Sequence, residues 1–356
     1  MRLFGRGKGE GEGRARATVV STAAPEVSVL VPVYNTEPAL LRQCLDSLVG
    51  QTLRDLEIVA IDDGSANEAP SILERYAAQD PRIRVLSKSN SGYGDSMNKG
   101  VEAARGTWLG ICEPDDYADR RMFADLLRAA RKHGSDIDIV KSNFVEHYDG
   151  TEDMPAHEHV GEIFAGFPYK RPFPPSEHPL LLRVKPAIWT ALYRRQMLLE
   201  NGIRFSPTPG ASFQDTGFVH QCWIAARRVV LLKRAYLHYR MDNAASSSKS
   251  AGKVFAICDE YDLIFRFLRQ QGDPKLHLFG PVLNATRFDG YTWNYDRIAN
   301  ECHLPFAERW AQDMREQELC GLVDESLLSP RYRGRLHLLL RSPEEFCAAY
   351  PDGIDL

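Results

Sequence analysis

The chain has 356 residues, with 44 Lys+Arg against 48 Asp+Glu and a formal net charge of −4 at pH 7. With 44% hydrophobic and 26% charged residues, this composition is typical of a globular protein and argues against wholesale coating of nucleic acid or membrane. No apolar run approaches the roughly 20 residues of a membrane-spanning helix. The seven cysteines are scattered without a C-x-x-C pair, which favours buried free thiols over a disulfide scaffold or a zinc finger.

The chain begins with a segment of low complexity. Residues 1–24 are rich in Gly, Arg and Ala without periodicity, and we expect a disordered arm that has at most a peripheral contact with anionic lipid. Order is predicted from Val27, because Val27–Val33 is a short β-branched run typical of a strand buried on both faces. Thr36 as a cap, Pro38 in the first turn and apolar residues at helical spacing then predict a helix.

The same alternation continues over the first 145 residues. Strands are predicted at 56–61, 83–86, 108–112 and 137–140, and helices at about 68–78, from Tyr93 onwards, and at about 119–132. Strands that alternate with helices of this length indicate βαβ units. The predicted fold class is therefore α/β, a Rossmann-like, mainly parallel twisted sheet with helices on both faces.

Beyond this point the pattern changes. Residues 146–185 are rich in Pro, His and Glu and indicate a long excursion or lid. Apolar periodicity returns at 187–193, in a helix near 214–226 and at 229–232. We expect one domain over residues 25–250 and a helical region over residues 251–356.

Polar residues follow the predicted strands, at the edge where an open α/β sheet binds its ligands. Tyr34-Asn35 ends the first strand, Asp62-Asp63-Gly64-Ser65 the second, and Glu113-Pro114-Asp115-Asp116 the fourth. Five carboxylates at one edge favour a cation site, although turn chemistry by itself also selects Asp. No G-x-G-x-x-G loop follows the first strand and no P-loop motif occurs, which argues against a dehydrogenase or a P-loop NTPase.

Several ordered motifs carry a resemblance to a known family. Val27–Asn35, Ile61–Ser65, Asn90–Asn98 with Gly100, and Glu113–Asp116 closely resemble successive motifs of family 2 glycosyltransferases of the GT-A fold. Lys185–Trp189, Ser212–Asp215, and Tyr239–Asn243 with Ser246–Ser248 continue the match, in the family's order, across about residues 26–250. The resemblance implies an inverting transferase that uses a nucleotide-diphospho-sugar, most simply a UDP-sugar, and Mn²⁺ or Mg²⁺.

The resemblance also implies roles for individual residues. Asp115 would be the metal ligand and Asp215 the general base that deprotonates the acceptor hydroxyl. The sequence departs from the family pattern at Glu113 and at Gln214, where Asp and Glu are usual. Asp116 would orient the site or cap the next helix, and Asp215 as a mere helix cap is the alternative to a base. The implied nucleotide-sugar site comprises Pro32, Tyr34, Asn35, Asp63, Asn98, Glu113 and Gln214.

Four further features leave alternatives open. Trp189 and Tyr193 are spaced four residues apart, which favours two aromatic side chains packed in the core over an aromatic surface that stacks on a sugar ring. Arg240 and the Ser246–Ser250 stretch indicate either a loop that closes over the diphosphate or a solvated linker. His238 is expected to be a structural histidine more than a metal ligand. The aromatic cluster Tyr291–Tyr295 fits either acceptor binding or closure of the helical region.

Three functional hypotheses follow. The leading one is a cytoplasmic glycosyltransferase, peripheral at most at the inner face of the membrane, that acts on a glycan or lipid-linked acceptor and binds no nucleic acid. A sugar-phosphate nucleotidylyltransferase is the second, but residues 33–35 lack its Gly-rich basic loop. The third is a catalytically degenerate glycan-binding module, which the departures at Glu113 and Gln214 favour and the three intact aspartates, Asp63, Asp115 and Asp215, oppose.

Overall fold

The structure is a computed structural model that describes residues 24–155, 166–243 and 253–354. Apart from Ala24, the predicted arm over residues 1–24 lies outside the described residues. So do residues 156–165 of the predicted excursion and the Ser246–Ser250 stretch.

The first half of the sheet is parallel and carries the predicted βαβ pattern. Its strands lie in the order β3-β2-β1-β4. Every residue of β1 and β2 is buried, as expected for strands covered by helices on both faces. The elements are β1 (Val27–Val33), α1 (Pro38–Val49), β2 (Leu56–Asp62), α2 (Ala69–Gln79), β3 (Ile83–Ser87), α3 (Tyr93–Ala103) and β4 (Trp108–Ile111).

The second half adds antiparallel strands, so the whole sheet is mixed. The elements are β5 (Tyr117–Ala118), α4 (Met122–Lys132), β6 (Ile139–His147), β7 (Met154–Pro155), β8 (Ala191–Arg194), α5 (Arg195–Glu200), α6 (Gln214–Ala225) and β9 (Val229–Arg240). β8 runs antiparallel to both of its neighbours, β4 and β6, while β9 is parallel to β6. The strand predicted at 137–140 extends to His147, into the segment predicted as an excursion. Residues 166–185 of that segment pack on the sheet, with Leu181 and Leu182 fully buried.

Within residues 253–354, five α-helices follow the sheet, in agreement with the helical pattern predicted for this region. They are α7 (Ala256–Gln270), α8 (Asp273–Tyr295), α9 (His303–Leu319), α10 (Pro330–Arg341) and α11 (Pro343–Ala349). Their core is aromatic, and Tyr291, Trp310 and Phe346 are fully buried there. Glu260 of α7 lies directly over Gly217 of α6, where a Cβ would come within 1.9 Å of the carboxylate oxygen. This contact joins the C-terminal helices to α6, the helix that carries Asp215.

Two local predictions have clear outcomes. The cap of α1 is Glu37 instead of Thr36, because the Glu37 carboxylate accepts hydrogen bonds from the N–H groups of Ala39 and Leu40 at 3.0 and 2.9 Å. All seven cysteines are free thiols, and Cys44, Cys112, Cys222 and Cys258 are buried, as predicted. Within the described ranges, no helix combines the length and apolarity needed to cross a bilayer.

A tight contact at the start of α3 allows a stability test. A Cβ on Gly94 would lie 1.8 Å from the carbonyl oxygen of Ser206, a backbone atom that cannot rotate away. We expect Gly94→Ala to lower the free energy of unfolding by about 1–3 kcal/mol or more, the usual cost of overpacking, as measured by urea denaturation. In Gly334→Ala, the matched control in α10, the Cβ meets nothing within 4 Å, so we expect unchanged or slightly higher stability. Equal stabilities for the two variants would contradict the contact.

Candidate active site

A cavity of about 900 Å³ opens at the carboxyl ends of β1, β2 and β4. The starts of α3 and α6 form further parts of its wall, and residues from the end of α8 close it on the side of the C-terminal helices. This is the edge at which ligands bind in open α/β sheets. The volume is in the range of pockets that enclose a cofactor-sized ligand.

Pro32, Tyr34 and Asn35 line the cavity where β1 ends. Asn35 has a left-handed backbone (φ 48°), which Asn tolerates better than most residues. Its N–H donates to Ser65 Oγ (2.9 Å), and its side-chain oxygen accepts from Ala66 N–H (2.8 Å). Asn35 therefore ties the end of β1 to the loop after β2. Tyr34 is 55% exposed and presents its ring to the cavity mouth.

Asp63 faces the cavity, whereas its neighbour Asp62 serves the turn after β2. Asp62 Oδ1 accepts from Ser65 N–H at 3.0 Å. The two oxygens of Asp63 accept from the N–H groups of Ser91 (2.8 Å) and Gly92 (2.9 Å), and Lys88 also pairs with this carboxylate. Asp63 thus holds the loop before α3 beside the cavity, a role that the sequence analysis missed.

Glu113 lies on the cavity wall and accepts a hydrogen bond from Tyr93 Oη (2.7 Å). Burial raises the pKa of Glu113 to about 8, and the negative charges of Asp115 and Asp215 act in the same direction, against the hydrogen bond from Tyr93. Glu113 is therefore mostly protonated at pH 7. The glutamate side chain, which is longer than the family's usual aspartate, is held by its hydrogen bond from Tyr93.

Asp115 and Asp116 diverge. Asp115 lines the cavity, and its Oδ2 accepts from Asn243 Nδ2 at 2.7 Å. Asp116 is buried and its Oδ1 accepts from the backbone N–H of Arg240 (2.9 Å), which fastens β9. Since α4 begins only at Met122, the prediction that Asp116 caps the next helix is wrong.

The oxygen donors on the cavity wall suit a divalent cation that is bound by the protein and the substrate together. Within the described residues, no group of three or more His, Cys, Asp or Glu side chains forms a complete metal site. Mg²⁺ and similar ions usually take one or two carboxylates and complete their shell with substrate phosphates and water. Asp115 offers such an oxygen to the cavity, and Asp215 adds a second carboxylate to the same cavity wall.

Asp215 is the second residue of α6 and lies on the cavity wall. Phe213, just before the helix, has a left-handed backbone (φ 59°), which is a strained conformation of the kind found at functional sites. Burial raises the pKa of Asp215 to about 6, although the N–H of Thr216 (2.8 Å) and the charge of Lys185 oppose this shift. The position at the start of α6 favours the ionised form, but burial is the larger effect. Asp215 nevertheless remains mainly ionised at pH 7.

Gln214 is buried and shapes the loop before α6. Its Nε2 donates to Thr208 Oγ1 (2.7 Å) and to the Gly210 carbonyl (3.3 Å), and its Oε1 accepts from Ser212 N–H. Gln214 lies against the cavity, but these bonds use its amide to hold the loop.

Three candidate residues lie elsewhere. Asn98 is not among the cavity residues, and its amide exchanges two hydrogen bonds with the backbone of Phe205, so its predicted role in nucleotide-sugar binding is corrected to a structural one. His238 stacks on Tyr117 and pairs with Asp153 at 2.6 Å, as expected of a structural histidine. Arg240 is buried, and its side chain contacts Asp149 and Gln43.

The C-terminal helices contribute cavity residues that the sequence analysis did not assign. Tyr291 and Tyr295 are buried in the helical core, whereas Trp293 between them is 46% exposed and lines the cavity. Helical periodicity places residue 293 on the face opposite 291 and 295, a signal that was available in the sequence. Lys253 and Arg297 lie on the same wall of the cavity.

Comparison with known proteins supports the predicted family. Residues 28–202 match Glycosyl transferase family 2. The chain is 31% identical to EpsH of Bacillus subtilis (strain 168) over 245 residues, which is 65% of each protein. It is 32% identical to the uncharacterized glycosyltransferase EpsJ of the same organism over 223 residues, 61% of each. The chain thus spans slightly less than two thirds of these relatives.

The fold has a counterpart among solved structures. The crystal structure of S. aureus TarS 1–349 in complex with UDP-GlcNAc superimposes with a TM-score of 0.71, covering 90% of this chain and 89% of that chain at 19% identity. The likeness establishes the fold, an α/β GT-A type with a C-terminal helical lobe, as predicted. The family match and these relatives show that residues 28–202 of this chain belong to glycosyltransferase family 2.

Proposed function

We propose that the protein is an inverting, metal-dependent glycosyltransferase that moves a sugar from a nucleotide-diphospho-sugar to a hydroxyl of a glycan or glycolipid. The observation that carries this proposal is the placement of Asp115 and Asp215 on the wall of one cavity at the carboxyl edge of the sheet. Asp115 is suited to bind the metal, and Asp215 is suited to act as the base.

The nucleotide end of the donor is assigned to the ends of β1 and β2. Pro32, Tyr34 and Asn35 form that wall, and Asp63 holds the loop beside it. UDP is the first nucleotide to test, since the fold is shared with TarS, whose structure contains UDP-GlcNAc. Mn²⁺ or Mg²⁺ held by Asp115 would stabilise the negative charge of the leaving diphosphate.

Asp215 supplies the base. The acceptor oxygen forms a bond to the anomeric carbon while its proton passes to Asp215, and the bond from that carbon to the diphosphate breaks on the opposite side. A single in-line displacement of this kind inverts the anomeric centre. Its transition state has the oxocarbenium character known from glycoside hydrolysis.

A glycan-binding module without turnover is the second candidate. The protonated state of Glu113 and the use of the Gln214 amide within its own loop favour it. The discriminating experiment incubates the full chain with UDP-sugars and Mn²⁺ and measures release of UDP with and without simple glycoside acceptors. UDP release supports an enzyme, whereas UDP binding without release from any sugar supports the module.

The raised pKa of Asp215 predicts the pH dependence of turnover. Because a general base must be ionised, kcat should rise with pH through about 6 and level off above pH 7. A cation bound nearby favours the ionised form and moves this limb to lower pH. Initial rates at saturating donor between pH 5 and 8 measure the limb, with the Kd of UDP measured in parallel as the control. A kcat that falls as pH rises through this range would contradict the assignment.

A further inference from the structure

The C-terminal helices present an aromatic and cationic surface to the cavity. The Trp293 ring meets the edge of Phe213, with ring centroids 5.7 Å apart and planes at 87°. Phe213 immediately precedes Gln214-Asp215, so this surface adjoins the proposed base. An exposed indole beside a reaction centre is suited to contact with a sugar ring.

Arg297 lies against the same indole. Its guanidinium carbon is 3.9 Å from the centroid of the Trp293 ring. Its Nη2 is buried and has no hydrogen-bond partner, and no carboxylate pairs with Arg297 within the three described ranges. By contrast, Arg309 of α9 pairs with Asp262 and Asp313. Among the described residues, no carboxylate therefore neutralises the guanidinium charge of Arg297, and this side chain lines the cavity.

Lys253 adds a second cation to this wall. Asn294 Nδ2 donates to the carbonyl of Val254 at 3.0 Å. This bond holds residues 253–254, which precede α7, against the end of α8. Lys253 Nζ donates to the Pro209 carbonyl, in the loop that Gln214 holds. Cations therefore lie on this wall of the cavity, while the sheet edge carries Asp115 and the start of α6 carries Asp215.

We propose that Trp293, Arg297 and Lys253 form an acceptor subsite for an anionic glycan. The sugar ring packs on Trp293, and its carboxylate or phosphate pairs with Arg297, with Lys253 nearby. An anionic acceptor needs such cations because Asp115 and Asp215 would otherwise repel it from the reaction centre. Arginine is suited to this task because its planar donors match carboxylate and phosphate. The inference rests on the proposed transferase function and specifies its acceptor.

The test uses three probes that differ in charge: methyl β-D-glucopyranoside, its uronate (carboxylate) and its 6-phosphate. Binding of each to the full chain, saturated with UDP and Mn²⁺, is measured by calorimetry or ligand-observed NMR. We expect at least one charged probe to bind about tenfold more tightly than the neutral one, as a charge-assisted hydrogen bond provides. The two charged probes distinguish a carboxylate from a phosphate as the recognised group.

Arg297→Met should remove the preference for the charged probe and leave the Kd of UDP within about twofold. The matched control is Arg266→Met, which removes an exposed arginine of α7 that does not line the cavity. Trp293→Ala should weaken all probes that bind. Equal binding of neutral and charged probes, no binding up to about 10 mM, or a charge preference that survives Arg297→Met would overturn the inference. Loss of UDP affinity in Arg297→Met would also overturn it, by assigning Arg297 to the donor. Failure of the unmodified chain to bind UDP would instead contradict the proposed function itself.

Discussion

Asp215→Asn should reduce turnover by about 10²–10⁴-fold, the usual contribution of one positioned general base, while donor binding is retained. An amide keeps the shape of the side chain and can still accept from Thr216 N–H, but it cannot take the acceptor proton. Because burial raises the pKa of Asp215, ionised Asp215 destabilises the fold at pH 7, and the amide should not lower the melting temperature. Initial rates at saturating donor, the Kd of UDP and thermal melting measure these three effects.

Glu260→Gln is the matched control for this variant. Glu260 is also a buried carboxylate whose pKa is raised by burial, to about 8, but it packs against Gly217 and does not line the cavity. Since Glu260 is mostly protonated at pH 7, its replacement by an amide should leave turnover nearly unchanged. If Asp215→Asn turns over within about threefold of the unmodified chain, the base lies elsewhere.

Gln214→Glu tests the second departure from the family pattern. Glutamate restores the family's usual residue and can accept from Ser212 N–H, but it cannot donate to Thr208 and Gly210. We therefore expect a far smaller change in turnover than for Asp215→Asn, accompanied by a lower melting temperature. A loss of turnover as large as that of Asp215→Asn would assign Gln214 a direct part in the reaction.

Asp115→Asn should abolish the metal dependence of nucleotide-sugar binding. A neutral amide removes charge that Mg²⁺ or Mn²⁺ needs from a hard oxygen ligand. Calorimetric titration should show that Mn²⁺ no longer strengthens UDP binding, with a loss of about 100-fold or more, since even outer-shell changes at metal sites cost about 10–100-fold. The fold should persist, because the hydrogen bond that Asp115 accepts from Asn243 lies at the surface of the cavity.

Asp116→Asn is the neighbouring control. Its carboxylate points away from the cavity and accepts from the backbone of Arg240, a bond that the amide oxygen retains. The effect of Mn²⁺ on UDP affinity should therefore survive in this variant. An unchanged metal effect in Asp115→Asn, or its loss only in Asp116→Asn, would remove Asp115 from the proposed metal shell.

The local pattern of apolar and polar residues was sufficient to predict the parallel half of the sheet. The β-branched apolar runs at 27–33 and 56–61 predicted strands covered on both faces, and polar residues at their ends predicted the position of the cavity. Asp115 and Asp215 lie on that cavity, as expected from their motifs. The antiparallel insertion of β8 between β4 and β6 was not predictable, because strand order depends on contacts between segments distant in the chain.

Burial and partners, in contrast, depend on the tertiary structure. The Asp62–Asp63 and Asp115–Asp116 pairs each consist of identical residues in sequence, yet only Asp63 and Asp115 line the cavity, whereas Asp62 holds the turn after β2 and Asp116 holds β9. The raised pKa values of Glu113 and Asp215 arise mainly from burial, which depends on the tertiary structure. Trp293 and Arg297, in the part of the chain without recognised motifs, reach the site only because α8 packs over the end of the sheet. The motifs predicted which carboxylates lie at the carboxyl edge of the sheet, whereas the packing of distant segments set their orientation, charge and accessibility and added the groups of the C-terminal helices.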